Sequence, residues 1–403
     1  MITSSEAFKS FGGMLPQEEM LEVGKKKSKL FIGIPKEISF QEDRVALGPA
    51  SVALLVNNGH DIIVQRGAGK ESNFSDNAYS EAGAAIGNDA AEVYNADVLL
   101  KVAPPSVDEI ILMKNRQTLF SAMQITTQPK DYIKNLMSKK ITSIAWDYIQ
   151  DEEGILPIVR TMGEIAGNTA VLIASELLSK ASKGQGLMLG GISGVSPTSV
   201  VILGAGTVGE FAARAALGLG ASVKVFDNSI FKLNRLQNGL GMRIFTSTLQ
   251  PRDLIKALKR ADVVIGAIRA PHGRTPCVVT EEMVSEMKAG SVIVDVSIDQ
   301  GGCFETSQVT SHQKPTFEEY GIIHYCVPNI ASRVSRTASF ALSNIFAPIL
   351  LNMGEGGGVE NMLRRNAGVR KGVYIYKGTL TDQYLGESLK IPYKDIELLM
   401  AAF

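Results

Sequence analysis

Residues 199–227 read SVVILGAGTVGEFAARAALGLGASVKVFD and contain the signals of a complete βαβ unit. The apolar run at 200–203 is typical of a strand buried on both faces. Three glycines follow in the order G-x-G-x-x-G, and residues 210–219 are rich in helix formers. A second β-type run, residues 222–226, stops at Asp227. Because these signals follow one another in order, the stretch predicts a dinucleotide-binding site.

The three glycines of this motif each have a physical task at a phosphate-binding turn. Gly204 permits the tight turn from strand to helix, and Gly206 has no Cβ, so a pyrophosphate can approach the backbone. Gly209 lets the helix pack close to the strand. Thr207 and Val208 lie at the helix N-terminus, whose free N–H groups and positive dipole attract phosphate. The competing interpretation is a βαβ turn with a purely structural role.

Asp227 lies eighteen residues beyond Gly209, at the end of the second predicted strand. An acid at this position can accept hydrogen bonds from the adenosine ribose hydroxyls. Its charge should repel a 2′-phosphate, so the sequence favours NAD over NADP as the cofactor. Lys232, five residues further on, weakens that preference slightly.

Length and composition narrow the class of protein. The chain has 403 residues, enough for two domains, and its 41 basic residues balance its 41 acidic ones. A net charge of zero gives no electrostatic case for nucleic acid or an anionic membrane surface as a partner. The three cysteines are widely spaced without a C-x-x-C motif, which predicts no metal site and a reducing, cytoplasmic location. We expect neither a secretory signal nor a membrane span.

The N-terminal half alternates predicted strands and helices, which indicates a parallel α/β domain of its own. Arg44 closely follows its first strand, Lys101 ends another, and Gln124 ends a third. Ligands of parallel sheets bind at the carboxyl ends of the strands, so we expect these side chains to lie close together. For each single residue the plainer alternative is a solvated loop position.

Several further expectations can be compared with the structure. Residues 79–86 are expected to form a helix, residues 325–329 a short strand, and residues 339–353 a long helix. The glycines of 354–358 should stop that helix and form a flexible loop. Asp299 follows the predicted strand at 291–298, at the end that should face a bound nicotinamide.

The predicted fold class is α/β, with two Rossmann-like domains built on parallel sheets. We expect the NAD-binding Rossmann domain, residues 166–335, to be inserted in a discontinuous catalytic domain made of residues 30–165 and 336–403. Residues 1–29 are expected to form an N-terminal arm outside both domains.

From about residue 30 to the C-terminus, the chain closely resembles the alanine dehydrogenase family, which shares its fold with the NAD-binding subunit of proton-translocating transhydrogenase. The matching stretches are IGIPKE at 32–37, DRVALGP at 43–49, LLKV at 99–102, ILGAGTVG at 202–209, KRADVVIGAI at 259–268 and MKAGSVIVDVSIDQGGCFE at 287–305. The last of these stretches is long and quite specific.

The resemblance implies reversible, NAD-dependent oxidative deamination of L-alanine to pyruvate and ammonia by a homo-oligomer, with a hexamer as the usual number. Arg44 and Lys101 match the positions that hold the substrate carboxylate and carbonyl. Asp299 matches the acidic residue that handles protons, and Asn329 matches a residue that lines the substrate and nicotinamide pocket. The positions that match cofactor contacts are Gly204, Gly206, Thr207, Val208, Gly209, Asp227, Lys232, Ile268, Ile298 and Asp299.

Four departures from the family pattern leave alternatives open. Two of them are Gly48, where the family usually has Thr, and Ile330, where it usually has Met. Gln124 stands where the family has a catalytic His, and Gly163 stands where it usually has a Ser that contacts the nucleotide. Gln can hydrogen-bond a substrate but cannot shuttle a proton near neutral pH. The alternatives are a transhydrogenase-like or degenerate regulatory protein that binds NAD without this activity, and a dehydrogenase of another amino acid.

Overall fold

The computed structural model describes residues 27–123, 130–270 and 273–401. These ranges contain two mixed, mainly parallel sheets with helices interleaved between the strands. The strands are β1 (Phe31–Ile34), β2 (Asp61–Gln65), β3 (Ala85–Gly87), β4 (Val98–Leu100), β5 (Thr118–Ser121), β6 (Thr142–Ala145), β7 (Ser199–Leu203), β8 (Ser222–Phe226), β9 (Phe245–Ser247), β10 (Val263–Gly266), β11 (Val292–Asp295), β12 (Thr316–Glu319), β13 (Ile322–Tyr325), β14 (Val373–Tyr376) and β15 (Thr379–Leu380).

The helices include two long ones of 21 and 22 residues, one before and one after the second sheet. The helices are α1 (Pro49–Asn57), α2 (Asp76–Glu81), α3 (Ala90–Val93), α4 (Val107–Leu112), α5 (Lys130–Ser138), α6 (Pro157–Leu178), α7 (Thr207–Gly218), α8 (Ile230–Leu240), α9 (Pro251–Leu258), α10 (Glu281–Ser285), α11 (Ser335–Glu355), α12 (Val359–Arg365), α13 (Ala367–Arg370), α14 (Gln383–Leu389) and α15 (Ile396–Ala401).

The first sheet has the strand order β15-β14-β6-β5-β4-β1-β2-β3. Strands β1 to β6 are parallel, whereas β14 pairs antiparallel with both β6 and β15. The chain therefore returns to this sheet after it has built the second one. Strand β1 lies between β2 and β4, so the direction of winding reverses beside β1, which is where ligands of such sheets bind.

The second sheet has the order β12-β13-β11-β10-β7-β8-β9. All its pairs are parallel except the β12–β13 hairpin at one edge. Its winding reverses between β7 and β10, so the glycine motif after β7 opens at the crevice that a Rossmann fold offers to a dinucleotide. This architecture confirms the predicted α/β class with two Rossmann-like sheets.

Helix α6 packs closely against α7 through small residues. A Cβ on Gly167 would lie 2.4 Å from the carbonyl oxygen of Val208, so no larger side chain fits there. Helix α11 buries Leu342, Phe346 and Leu350 in the core of the first sheet. Among the described residues, Ile330–Glu355 is the one helical stretch long and apolar enough to cross a membrane, and such a single stretch is weak evidence for a span.

Some predicted elements are wrong in their bounds or type. Residues 79–86 are not one helix, because α2 ends at Glu81 and β3 begins at Ala85. The strand expected at 325–329 lies earlier, since β13 ends at Tyr325 and residues 330–334 form a 3₁₀ turn. Helix α11 does end within the glycine stretch, as expected, but two residues later than predicted, at Glu355. The connection to α12, which begins at Val359, is therefore only three residues long.

Candidate active site

A cleft of about 590 Å³ is lined by residues from both halves of the chain. Arg44, from the loop after β1, lines the same cleft as Asp299, which follows β11. Of the residues predicted from the sequence, those that line this cleft are Arg44, Val208, Ile268, Ile298, Asp299 and Asn329. The fold thus brings predicted substrate and cofactor positions together, although they lie far apart in the sequence.

Lys101 does not line the cleft, although Val102 and Ala103, which follow it in the chain, do. Its side chain is 0% exposed. Its Nζ forms ion pairs with Glu37 Oε2 at 3.1 Å and with Glu109 Oε1 at 2.7 Å. Burial alone would lower the pKa of Lys101, but the two carboxylates outweigh it and raise the pKa above its ordinary value. Lys101 is therefore a charged ammonium, which can polarise a carbonyl but cannot act as a neutral base.

Glu109 is fixed in place by the start of α4. Its backbone N–H donates to the Ser106 hydroxyl, and its Oε2 accepts the N–H of Ser106, so the two residues form a capping box. The other oxygen, Oε1, accepts from both Lys101 and the hydroxyl of Tyr94. The spacing S-x-x-E at 106–109 is a sequence signal for such a cap, but it does not reveal the bond to Lys101.

Glu37 is the second buried partner of Lys101. Its Oε1 accepts the backbone N–H of Val102 at 2.6 Å. Burial raises the pKa of Glu37 to about 7, against the opposing effect of the Lys101 charge. This carboxyl group therefore changes its protonation near neutral pH, a property that the motif IGIPKE at 32–37 does not indicate by itself.

Arg44 and Glu42 form a buried bidentate ion pair. Arg44 Nε donates to Glu42 Oε1 at 2.7 Å, and Nη2 donates to Oε2 at 2.6 Å. Their side chains are only 8% and 4% exposed. Glu42 lies two residues before Arg44, yet sequence reasoning missed it, because nothing in the local pattern shows which partner a buried arginine takes.

Asp299 and Asn329 link the second sheet to the ion pair of Arg44 and Glu42. Asp299 follows β11 in a 3₁₀ turn, Val296–Gln300, and its Oδ1 accepts the backbone N–H of Asn329 at 2.7 Å. The Nδ2 of Asn329 donates to Glu42 Oε2 and to the Gln41 carbonyl, both at 3.0 Å. Asn329 has φ 57° and ψ 46°, a left-handed conformation that asparagine tolerates better than most residues.

The Asp299 side chain is exposed to the water in the cleft, yet the surrounding protein reduces its solvation. This loss of solvation raises the pKa of Asp299 above its ordinary value, while the Asn329 N–H and the Arg44 charge act to lower it. A carboxyl whose pKa is raised toward neutral pH is a better proton donor and acceptor for a reaction in that range.

The glycine turn after β7 has the shape that a pyrophosphate requires. Gly204 has φ +113°, and a Cβ there would lie 2.4 Å from the Ala267 carbonyl oxygen. A Cβ on Gly209 would lie 1.9 Å from the Gly204 carbonyl oxygen, whereas a Cβ on Gly206 would meet open space. Helix α7 has no side-chain cap, so its first N–H groups remain available to an anion.

Asp227 directly follows β8 and lies beside this turn. Its Oδ2 accepts the N–H of Ala205 and its Oδ1 accepts the N–H of Ser229, both at 2.8 Å. Each oxygen keeps a further lone pair for a ribose hydroxyl. Lys232 is exposed on α8. These positions, with the open cradle at Gly206, fit the adenosine and pyrophosphate parts of a dinucleotide.

Gln124 lies outside the described residues, so its place relative to the cleft stays a prediction. Gly163 lines the cleft, and a Cβ there would lie 3.4 Å from the Thr207 side chain. Among the residues with described positions, no group of three or more His, Cys, Asp or Glu side chains could hold a metal ion.

The two sheets, their shared cleft and the glycine turn at the head of α7 define a two-domain α/β protein of the dinucleotide-binding class. The family models for the N-terminal and C-terminal domains of alanine dehydrogenase/PNT match residues 33–166 and 170–383. The chain belongs to this alanine dehydrogenase/PNT family, as the resemblance in its motifs indicates.

Curated relatives match over nearly their whole length. Alanine dehydrogenase of Mycolicibacterium smegmatis is 40% identical over 92% of this chain and 100% of its own. Alanine dehydrogenase of Methanococcus maripaludis is 38% identical over 91% of this chain and 99% of its own. A solved structure of L-alanine dehydrogenase is 36% identical, with a TM-score of 0.83 over 90% of this chain and 99% of that one. The transhydrogenase from Sinorhizobium meliloti is 25% identical, with a TM-score of 0.75 over 88% of this chain and 99% of that one.

Proposed function

We propose that this chain catalyses the reversible, NAD-dependent oxidative deamination of L-alanine to pyruvate and ammonia. The observation that carries the proposal is that Arg44 and Asp299 line one cleft together with Val208 of the glycine turn. A carboxylate-binding cation and a proton-transferring acid are the two groups that this reaction requires next to a nicotinamide. The relatives named alanine dehydrogenase support the choice of substrate.

The residues of the glycine turn would hold the pyrophosphate of NAD at the N-terminus of α7, and Asp227 would hold the ribose. When bound, NAD supplies a hydride acceptor. The repulsion between Asp227 and a 2′-phosphate supports NAD rather than NADP. Ile268 and Ile298 line the cleft and would help to exclude water from its nicotinamide end.

Arg44 would bind the substrate carboxylate, and the Lys101 charge would polarise the carbonyl. L-alanine, NAD and water yield pyruvate, ammonium, NADH and one proton, so a protein group must take up that proton. Asp299 Oδ1 is engaged by the Asn329 N–H, whereas Oδ2 accepts no hydrogen bond from the described residues. We assign the proton transfer to Oδ2 of Asp299, with Gln124 as a group that positions the substrate.

The domain boundaries at 166 and 335, a homo-oligomeric assembly with six chains, and a cytoplasmic location belong to the same proposal. The return of β14 to the first sheet supports a discontinuous first domain. Family membership supports the oligomer, and three free cysteines support a reducing, cytoplasmic location.

The test is the oxidation of NADH, followed by its absorbance, with pyruvate and ammonium and then with other 2-oxo acids. Turnover with pyruvate supports the proposal. Turnover only with another 2-oxo acid changes the substrate. If NADH binds and no 2-oxo acid reacts, the chain is an NAD-binding protein like the transhydrogenase subunit, a candidate favoured by Gln124 and by the likeness to the Sinorhizobium meliloti structure.

Replacing Arg44 with Ala should raise the KM for pyruvate by about 10- to 100-fold, because a charged hydrogen-bonded contact contributes about 1.5–3 kcal/mol. The affinity for NADH should stay close to that of the unaltered protein. Steady-state kinetics at varied pyruvate concentrations, with an NADH fluorescence titration as the control, provide the measurement. An unchanged KM would remove Arg44 from the substrate site.

A further inference from the structure

We propose that Glu42 is a positioning residue that fixes the substrate-binding edge of Arg44 and couples it, through Asn329, to the proton-transferring Asp299. This inference rests on the proposed function, since it assigns a task to Arg44 and Asp299 in that reaction. It concerns a carboxylate that lines the cleft but makes its contacts with protein groups rather than with a reacting atom.

The geometry of the ion pair determines which part of Arg44 a ligand can reach. A guanidinium group has five N–H donors in one plane. Glu42 takes the Nε donor and one Nη2 donor, at 2.7 and 2.6 Å. Three donors remain, two on Nη1 and one on Nη2. One N–H of Nη1 and the remaining N–H of Nη2 lie side by side on the neighbouring edge of the guanidinium plane. That edge can donate two hydrogen bonds to a second carboxylate.

Burial makes the orientation of Arg44 depend on Glu42. Both side chains are almost completely enclosed, and Glu42 Oε1 also accepts the backbone N–H of Arg44 at 3.2 Å. Among the residues that the structure describes, the guanidinium's hydrogen-bond acceptor other than Glu42 is the weak thioether sulfur of Met162, 3.4 Å from Nη1. Glu42 is therefore the group that holds the free edge of Arg44 toward the cleft.

Asn329 extends this arrangement to the second sheet. Its side-chain amide donates to Glu42 Oε2, while its backbone N–H donates to Asp299 Oδ1. The left-handed conformation of Asn329 lets side chain and backbone face these two partners at once. A change at Glu42 is thus transmitted to Asp299 through one residue.

Charge provides a second route between Glu42 and Asp299. Several influences act on the pKa of Asp299. Burial and the negative charges of Asp295 and Glu42 raise this pKa, whereas the Asn329 N–H and the Arg44 charge lower it. Arg269 is a further charged residue that lines the same cleft. If Glu42 loses its charge, Arg44 is no longer neutralised, and the pKa of Asp299 should fall. A residue with only a packing role would not produce this change.

The experiment compares Glu42→Gln and Glu42→Asp with the unaltered protein. In the deamination direction Asp299 must be ionised to accept a proton, so kcat/KM for alanine rises with pH through the pKa of Asp299. We expect Glu42→Gln to move this rise to lower pH and to increase the KM for alanine by about 10- to 100-fold. Glu42→Asp keeps the negative charge, so in this variant kcat/KM should rise with pH over the same range as in the unaltered protein. The KM for alanine should stay elevated in this variant. Glu286→Gln, which alters an exposed ion pair with Lys259, is the matched control and should change neither quantity.

Direct binding separates a failure of this inference from a failure of the proposed function. Oxamate carries the carboxylate of the substrate without reacting, and its Kd can be measured by calorimetry in the presence of NADH. If the unaltered protein lacks turnover but binds oxamate, a weaker Kd in Glu42→Gln still supports the positioning role. An unchanged KM and an unchanged pH profile in Glu42→Gln, an unchanged oxamate Kd in that variant, or no oxamate binding by the unaltered protein would overturn it.

Discussion

Replacing Asp299 with Asn is expected to reduce turnover by about 10²–10⁴-fold, the usual contribution of one acid–base group. Asn has nearly the same shape, and its Oδ1 can still accept the N–H of Asn329, which Asp299 accepts at 2.7 Å. The geometry of the cleft should therefore persist. An amide, however, neither takes up nor releases a proton near neutral pH.

The measurement combines kcat from NADH oxidation with the Kd for NADH from fluorescence. We expect a large loss in kcat with a nearly unchanged Kd, since the glycine turn and Asp227 are untouched. The pH dependence provides a second check. The pKa of Asp299 is raised by burial, so the unaltered protein should gain deamination activity as pH rises through that pKa, and the variant should not. Full turnover in Asp299→Asn would remove this residue from the mechanism.

Replacing Lys101 with Met should lower the free energy of unfolding by about 3–5 kcal/mol, the cost of leaving a buried charge without its partner. Lys101 is 0% exposed and pairs with both Glu37 and Glu109. Methionine has similar length and fits the same space, but it offers no charge to either carboxylate. The variant should also lose turnover because the substrate carbonyl is no longer polarised.

Urea unfolding at two pH values tests this second prediction. Burial raises the pKa of Glu37 to about 7, above the ordinary carboxyl value of 4.5, even with Lys101 present. A carboxyl group whose pKa is raised in the folded state lowers the free energy of unfolding as pH rises from its unfolded pKa to its folded pKa, here from 4.5 to about 7. Without Lys101 the pKa of Glu37 should rise further, so the variant should be less destabilised at pH 5 than at pH 8. A loss that is equal at both pH values would contradict the charge explanation.

A matched variant distinguishes charge from packing at the same position. In the combined variant Lys101→Met, Glu37→Gln and Glu109→Gln, the buried cluster carries no charge. Replacing a buried ion pair by uncharged residues of similar size is often neutral for stability. We expect this variant to recover much of the lost free energy of unfolding while it remains inactive. No recovery would indicate that the shape of Lys101 matters more than its charge.

Local patterns were sufficient to predict the second sheet and its glycine turn. The strand β7, the turn and α7 form from contiguous residues, so their signals are complete within about thirty positions. The rule that ligands bind at the carboxyl ends of parallel strands predicted that Arg44, Lys101 and Gln124 lie close together. The structure places Arg44 in the cleft with Asp299 of the second sheet, whereas Lys101 does not line the cleft. These parts of the site depend on topology, which the alternation of strands and helices indicates.

Other features depend on partners that no local pattern reveals. The stretch 79–86, YSEAGAAI, contains good helix formers and was predicted to be one helix. In the structure Gly83 adopts φ +91° and ends α2, and Ile86 pairs with Val64 in the first sheet. The burial of Lys101 with Glu37 and Glu109 joins three separate elements, which only the folded chain brings together.

The return of β14 to the first sheet bears on how this chain is made on the ribosome. Strand β6 ends at Ala145, and its neighbour β14 begins at Val373, 228 residues later (373 − 145). At 5–20 residues per second, translation takes about 10–45 s to cover that distance. All strands of the second sheet, β7 to β13, are synthesised within this interval. The second sheet can therefore fold before the first sheet is complete. Until β14 is synthesised, β6 is an unpaired edge strand of the first sheet. During this period the nascent chain is most exposed to aggregation.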